Sequence, residues 1–86
     1  MKKTVLFEGK VTLANIVVDF RIYKNETDDD TYYSYEINPQ VRNSDQADFY
    51  MGEITRADTL EHLLFRFSMF QKLFTNIVQQ RPNPDF

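Results

Sequence analysis

The chain has 86 residues and a net charge of −3, and 42% of its residues are hydrophobic, 27% charged and 15% aromatic. This length and balance exclude a multidomain enzyme, a repeat array and a disordered segment, and the weak acidity disfavours nucleic-acid binding through phosphate contacts. The sequence has no cysteine and no apolar run of about 18 residues, which excludes disulfides, thiolate metal sites and a membrane-spanning helix. We therefore expect a cytoplasmic protein without a membrane partner.

Alternation of apolar and polar residues with a period of two predicts strands in the first part of the chain. The first strand covers residues 5–13 and is interrupted at Gly9, where we expect a bulge. A weak turn signal follows at residues 14–15. Residues 16–23 then form the most regular strand of the sequence.

A third strand and a weaker fourth follow in the middle of the chain. Residues 32–37 alternate regularly, and the polar loop at residues 25–30 before them predicts a hairpin. Residues 39–46 are expected to form a polar connection. The short fourth candidate, residues 47–54, is less regular because Gly52 spoils its alternation.

The last third of the chain changes to the spacing of an amphipathic helix. Thr55 with Asp58, and Asp58 with Glu61, match capping-box spacing, so the helix should begin between Thr55 and Asp58. Pro82 prevents its extension much beyond Gln80. The apolar positions recur every three or four residues, at Leu60, Leu63, Leu64, Phe67, Phe70, Phe74, Ile77 and Val78.

These elements predict an α+β fold, in which an antiparallel meander of three or four strands is covered on one face by a single long C-terminal helix. Residues 1–80 are expected to form one domain and residues 81–86 a short flexible tail. Six large side chains should fill the core between sheet and helix: Val18, Phe20, Tyr35, Leu63, Phe67 and Phe74.

Catalytic and cofactor chemistry has little support in this sequence. His62 is the one conventional general base, and Asp58, four residues earlier on the predicted helix, is placed to orient its ring. An exposed helix histidine beside a capping residue is the favoured interpretation. Gly9 and Gly52 are isolated and form no phosphate-binding loop, so we predict no catalytic residue, no metal and no cofactor.

Four carboxylates cluster in the predicted hairpin loop. They lie at Glu26, Asp28, Asp29 and Asp30. Their spacing does not match an EF-hand, which needs a glycine at the turn and a glutamate at the twelfth position. A solvated loop is the favoured interpretation, and a docking patch for a basic partner or a Ca²⁺ site are the alternatives.

Tyr23 and Tyr32 are predicted on the sheet face turned away from the helix, beside Arg21. Aromatic rings next to arginine stack nucleic-acid bases in sheet-based RNA binders. This face carries as many acids as bases, however. Ordinary cross-strand packing is therefore favoured, followed by a protein-contact surface, with nucleic acid third.

The predicted helix carries more apolar residues than one core face needs. Between Leu60 and Val78, 11 of 19 residues are apolar, whereas a core-facing stripe of about three in seven needs about eight. Phe65 and Met69 lie nearly opposite the main stripe, and Leu73 joins them at its edge. Burial under the chain's own loop or tail is one explanation, and contact with a second subunit or another protein is the favoured one.

The sequence therefore favours a small non-enzymatic interaction module. Its partner is expected to be a second copy of the chain or a larger protein, as for adaptors, immunity proteins or inhibitors. The first alternative is an enzyme whose site forms between subunits, using His62, Asp58 or a tyrosine. The second is a nucleic-acid binder that uses the outer sheet face.

Overall fold

The structure, a computed structural model, describes residues 1–44, 50 and 55–86. Within these residues, antiparallel sheets of four and two strands and one helix form an α+β fold, which confirms the predicted class. The elements in chain order are β1 (Lys2–Leu13), β2 (Ile16–Glu26), β3 (Thr31–Asn38), β4 (Gln40–Asn43), β5 (Thr55–Ala57), α1 (Leu60–Gln71) and β6 (Ile77–Arg81).

The main sheet has the order β1, β2, β3, β5, and all neighbouring strands are antiparallel. Its first three strands form the predicted meander because short connections join them: residues 14–15, and a loop in which the Asp30 N–H donates to the Thr27 hydroxyl at 3.0 Å. The predicted fourth strand, residues 47–54, lies outside the described residues except for Tyr50. The fourth strand of the main sheet is β5, which begins directly after that segment.

The β1–β2 turn contains a residue with unfavourable backbone geometry. Ala14 has a φ of 50°, in the left-handed region that costs a residue with a Cβ about 1 to 2 kcal/mol. Ala14→Gly is therefore expected to raise the free energy of unfolding by about 0.5 to 1 kcal/mol, part of the gain being offset by the greater flexibility of the unfolded chain.

Urea denaturation measures this change. Ala57→Gly is the matched control: it removes a buried methyl group from β5 and should lower the free energy of unfolding. A lowered value for Ala14→Gly as well would contradict the positive φ at this turn.

The bulge in β1 does not lie at the glycine. The register shifts between Val5 and Phe7, so the position predicted for the bulge, Gly9, is wrong. Gly9 instead pairs regularly with Phe20, whose ring carbon lies 3.2 Å from the point that a Cβ at residue 9 would occupy. An isolated glycine in a strand can mark a bulge or a place where another group packs closely against the backbone. Here the missing side chain leaves room for the Phe20 ring.

The second sheet overturns the prediction of one long helix. That helix was expected to reach about Gln80, but α1 has 12 residues and ends at Gln71. The residues that follow form β6, which pairs antiparallel with β4. β4 itself lies within residues 39–46, where a polar connection was expected.

A side chain from β4 explains why the helix stops. The Asn43 Nδ2 donates to the Leu73 carbonyl at 2.9 Å, and its Oδ1 accepts the N–H groups of Thr75 and Asn76 at 3.2 and 2.9 Å. These bonds satisfy backbone groups that a continuing helix would have used. The chain is then free to turn and enter β6.

The helix also starts later than the capping-box spacing suggests. Thr55 lies in β5 and pairs with Tyr35 of β3. The helix start predicted between Thr55 and Asp58 is therefore wrong. Thr59 is the N-cap, and its hydroxyl accepts the N–H of His62 at 3.1 Å.

The core lies between the main sheet, α1 and the second sheet. The Phe67 ring is at its centre, 4.8 Å from the Tyr35 ring and 5.2 Å from the Phe20 ring. Five of the six predicted core residues are buried, and Phe20 is half-buried. Leu13 and Val41 complete this core from β1 and β4.

The C-terminal residues contact the main sheet at two points. Asn83 is buried, its side chain donates to the Ile37 carbonyl at 2.9 Å, and its N–H donates to the Asn38 Oδ1 at 2.9 Å. The Phe86 ring lies 4.2 Å from the Arg21 guanidinium. These contacts connect the segment after β6 to β3 and β2.

Candidate protein-interaction surface

One face of α1 is apolar and points away from the core. We define the α1 stripe as Phe65, Met69 and Leu73, which are exposed to 63%, 47% and 55%. Leu63 and Phe67, on the other side of the helix, are buried against the sheet. The predicted phase is thus confirmed at Leu63 and Phe67, whereas Leu64, which was counted in the core-facing stripe, is 43% exposed. Large apolar side chains therefore remain in contact with solvent. Such patches mark contact surfaces in soluble proteins.

A groove of about 340 Å³ lies along the α1 stripe, between the helix and β5. The turn after α1 extends it, because the Leu73 N–H donates to the Phe70 carbonyl at 3.0 Å and keeps Leu73 in line with the helix. Its volume is at the lower end for ligand pockets, which suits a few apolar side chains. The lining residues are Tyr35, Thr55, Phe65, Arg66, Met69, Phe70 and Leu73.

Tyr35 forms the floor of the groove and Arg66 one wall. Burial raises the pKa of the Tyr35 phenol, and a hydrogen bond with Thr55 opposes that shift. Arg66 donates from Nη1 to the Arg56 carbonyl at 3.0 Å and from Nε to the His62 Nε2 at 3.3 Å. Its guanidinium is therefore turned toward β5, and the centre of the α1 stripe stays apolar.

The hydrogen-bond partner of His62 is a neighbouring arginine on the helix. It is exposed, as predicted, and its ring nitrogen accepts a hydrogen bond from Arg66. Asp58, which the disfavoured catalytic alternative used to orient the ring, is exposed in the turn before α1 and is not that partner.

The outer face of the main sheet carries ion pairs. Among the described residues, four cations on this face each lie near a carboxylate. The pairs are Lys3 with Glu36 (3.8 Å), Lys10 with Asp19 (2.7 Å), Arg21 with Glu8 (3.4 Å) and Arg56 with Asp30 (3.9 Å). Each of these cations thus has an acidic neighbour within 4 Å.

The two tyrosines predicted as contact residues differ in exposure. Tyr23 is only 5% exposed, with the Lys3 ammonium 4.1 Å from its ring centroid, so it does not present the open surface that we expected. Tyr32 is half-buried, and the Arg56 guanidinium lies 3.8 Å from its ring. Burial raises the pKa of the Tyr23 phenol, and a hydrogen bond with Arg21 opposes this.

Several polar residues on the outer face are buried. Glu36 is 1% exposed, and within the described part of the chain its Oε2 has no hydrogen-bond partner. Next to it, the Asn25 side chain donates to the Ser34 hydroxyl at 2.9 Å, and both residues are buried. These side chains are engaged in packing the sheet.

The acidic loop is organised as a turn. The Asp30 carboxylate accepts the N–H of the next residue at 2.8 Å and lies 3.9 Å from Arg56. Asp28 and Asp29 are exposed, and Glu26 is half-buried at the end of β2. Among residues 1–44, 50 and 55–86, no group of three or more acidic or histidine side chains is arranged to hold a metal ion.

Two charged residues beside the α1 stripe were not predicted as part of a contact surface. Glu61 lies in the first turn of α1, four residues before Phe65, and Lys72 is the C-cap. The same four-residue spacing that connects Phe65 to Met69 would have placed Glu61 beside the stripe. The groove itself could not be found in this way, since Thr55 was predicted at a helix start.

Comparison with known proteins finds no matching family model, no matching curated protein and no matching solved structure. In the part of the chain that the structure describes, no helix has the length and apolar character needed to cross a membrane.

Proposed function

We propose that this protein is a non-enzymatic interaction module that binds another polypeptide through the α1 stripe and the adjoining groove. The observation that carries the proposal is the exposure of Phe65, Met69 and Leu73 beside a groove of about 340 Å³. Aromatic residues and methionine are enriched at protein interfaces, and each side chain buried there is worth roughly 1.5 to 3 kcal/mol. The cytoplasmic location expected from the lack of cysteine is part of this proposal.

The enzyme alternative has weaker support. A general base needs a reacting group within hydrogen-bond reach, and the imidazole of His62 is bonded to Arg66 on an exposed helix surface. A nucleophile needs an adjacent base, whereas Ser34 is buried and bonded to the Asn25 amide. Neither residue lines the groove beside α1.

The nucleic-acid alternative needs cations that can reach phosphates. On the outer sheet face, Lys10 and Arg21 lie 2.7 and 3.4 Å from Asp19 and Glu8. The aromatic ring of Tyr23 is covered by Lys3 and is not open to stacking. These contacts favour a structural role for this face.

Photo-crosslinking tests the proposed function without assuming the partner's identity. A photoreactive phenylalanine analogue at position 65, irradiated in an extract of the source cells, should join the 10.3 kDa chain to another polypeptide. The analogue at position 17, where Val17 is 59% exposed on the outer sheet face, is the matched control and should give no such product. Met69→Asp in the same chain should abolish the product from position 65. No product from position 65, an equal product from position 17, or survival of the product with Met69→Asp would each contradict the proposal.

A further inference from the structure

We propose that the occupant of the α1 stripe is a second copy of this chain, with the two α1 helices packed antiparallel across a twofold axis. This inference rests on the proposed function and names its partner. Its basis is the pattern of charges that flank the stripe.

Glu61 and Lys72 lie on one flank of the α1 stripe, at opposite ends of the helix. They are 11 positions apart, which at about 100° per residue is three turns with a remainder of only about 20°. The separation along the axis is about 16 Å at 1.5 Å per residue. One edge of the stripe thus has an acid at its N-terminal end and a base at its C-terminal end.

This arrangement is complementary to itself only in the antiparallel orientation. A twofold axis perpendicular to both helices keeps each flank on its own side and exchanges its ends. Glu61 of each copy then faces Lys72 of the other, and two ion pairs form by symmetry. A parallel pair would instead leave the acid and the base about 16 Å apart along the helices.

The same register places Phe65 opposite Met69. When Glu61 is level with Lys72 of the second copy, Phe65 lies within one residue of the level of Met69 across the axis. The apolar groove lies beside this point and can receive the ring. Arg66 is held toward β5 by the Arg56 carbonyl, at 3.0 Å, so its charge lies outside the centre of the contact.

A self-complementary pattern argues for a second copy rather than an unrelated partner. An isologous contact places each group of a patch against another group of the same patch. Here Phe65 meets Met69, and the acid and the base at the two ends of the flank meet each other. Antiparallel helix dipoles add to the preference.

Charge reversal tests the orientation directly. Sedimentation equilibrium at low salt should show that Glu61→Lys or Lys72→Glu alone weakens dimerisation by about tenfold, because each places like charges opposite one another twice. The double reversal, Glu61→Lys with Lys72→Glu, should return the dissociation constant to within about threefold of the wild type. Asp29→Lys and Lys2→Glu make the same charge changes at exposed positions away from α1 and should have no effect.

Two outcomes would overturn this inference in different ways. If the double reversal is as weak as the sum of the single ones, a dimer exists but its helices are not antiparallel in this register. If the wild type stays monomeric at about 500 μM while position 65 still crosslinks to a different protein, the second copy is wrong and the interaction function stands. A monomer without any crosslink would contradict both proposals.

Discussion

Phe67→Ala is expected to lower the free energy of unfolding by about 3 to 5 kcal/mol. Phe67 is 7% exposed and its ring contacts those of Tyr35 and Phe20, so its removal leaves a cavity at the junction of helix and sheet. Domains of this kind have a total stability of about 5 to 15 kcal/mol, which makes this loss a large fraction of the whole. The midpoint and slope of urea denaturation measure it.

Phe65→Ala is the matched control, because it makes the same change two residues away on the opposite side of α1. At a protein concentration low enough to keep the chain monomeric, we expect its free energy of unfolding to stay within about 0.5 kcal/mol of the wild type. An unchanged midpoint for Phe67→Ala, or an equal loss for both variants, would mean that the helix has a different phase.

Phe65→Asp combined with Met69→Lys should separate association from folding. Each of the two side chains contributes roughly 1.5 to 3 kcal/mol when buried, and the twofold axis counts each one twice. The dissociation constant of the dimer should therefore rise at least about a thousandfold. Neither residue serves the core, so far-UV circular dichroism and the monomer's denaturation midpoint should be retained.

Val17→Asp provides the control for this variant. Val17 is 59% exposed, comparable to Phe65, but it lies on the outer face of β2. Its replacement should leave the dimer intact. Equal loss of association in both variants would indicate general apolar adhesion rather than a specific surface, and loss of helical signal in the double variant would mean that the stripe belongs to the core.

Local periodicity was sufficient to predict the strands of the meander and the phase of the helix. Val18 and Tyr35 alternate inward because a strand repeats every two residues, and Phe67 faces the sheet because a helix repeats every 3.6. The exposure of Phe65 and Met69 follows from the same phase. These features depend only on residues close together in the chain.

The end of the helix depends instead on a residue far away in the sequence. Asn43 stops the helical turn after Leu73 from a distance of 30 residues, and no local signal in residues 72–76 predicts that bond. The Asn15 side chain likewise accepts the N–H of Ile77, 62 residues along the chain, and connects the β1–β2 turn to β6. Apolar spacing at Ile77 fitted a helix, but pairing with β4 determined a strand.

The outer sheet face shows a second limit of sequence reasoning. Alternation correctly places Tyr23 on the face away from α1, but it gives no measure of how closely neighbouring side chains cover it. Lys3 lies across Tyr23 and approaches the buried Glu36 at 3.8 Å, so a tyrosine expected at an open surface is buried. The α1 stripe has no such cover among the described side chains, and its residues stay exposed.

Sedimentation equilibrium of the wild-type chain tests the central claim most directly. Between about 1 and 500 μM, a range that covers ordinary dimer affinities, we predict that the apparent mass rises from the 10.3 kDa of one chain toward twice that value. A mass of 10.3 kDa at every concentration would contradict the pairing of α1 with a second copy.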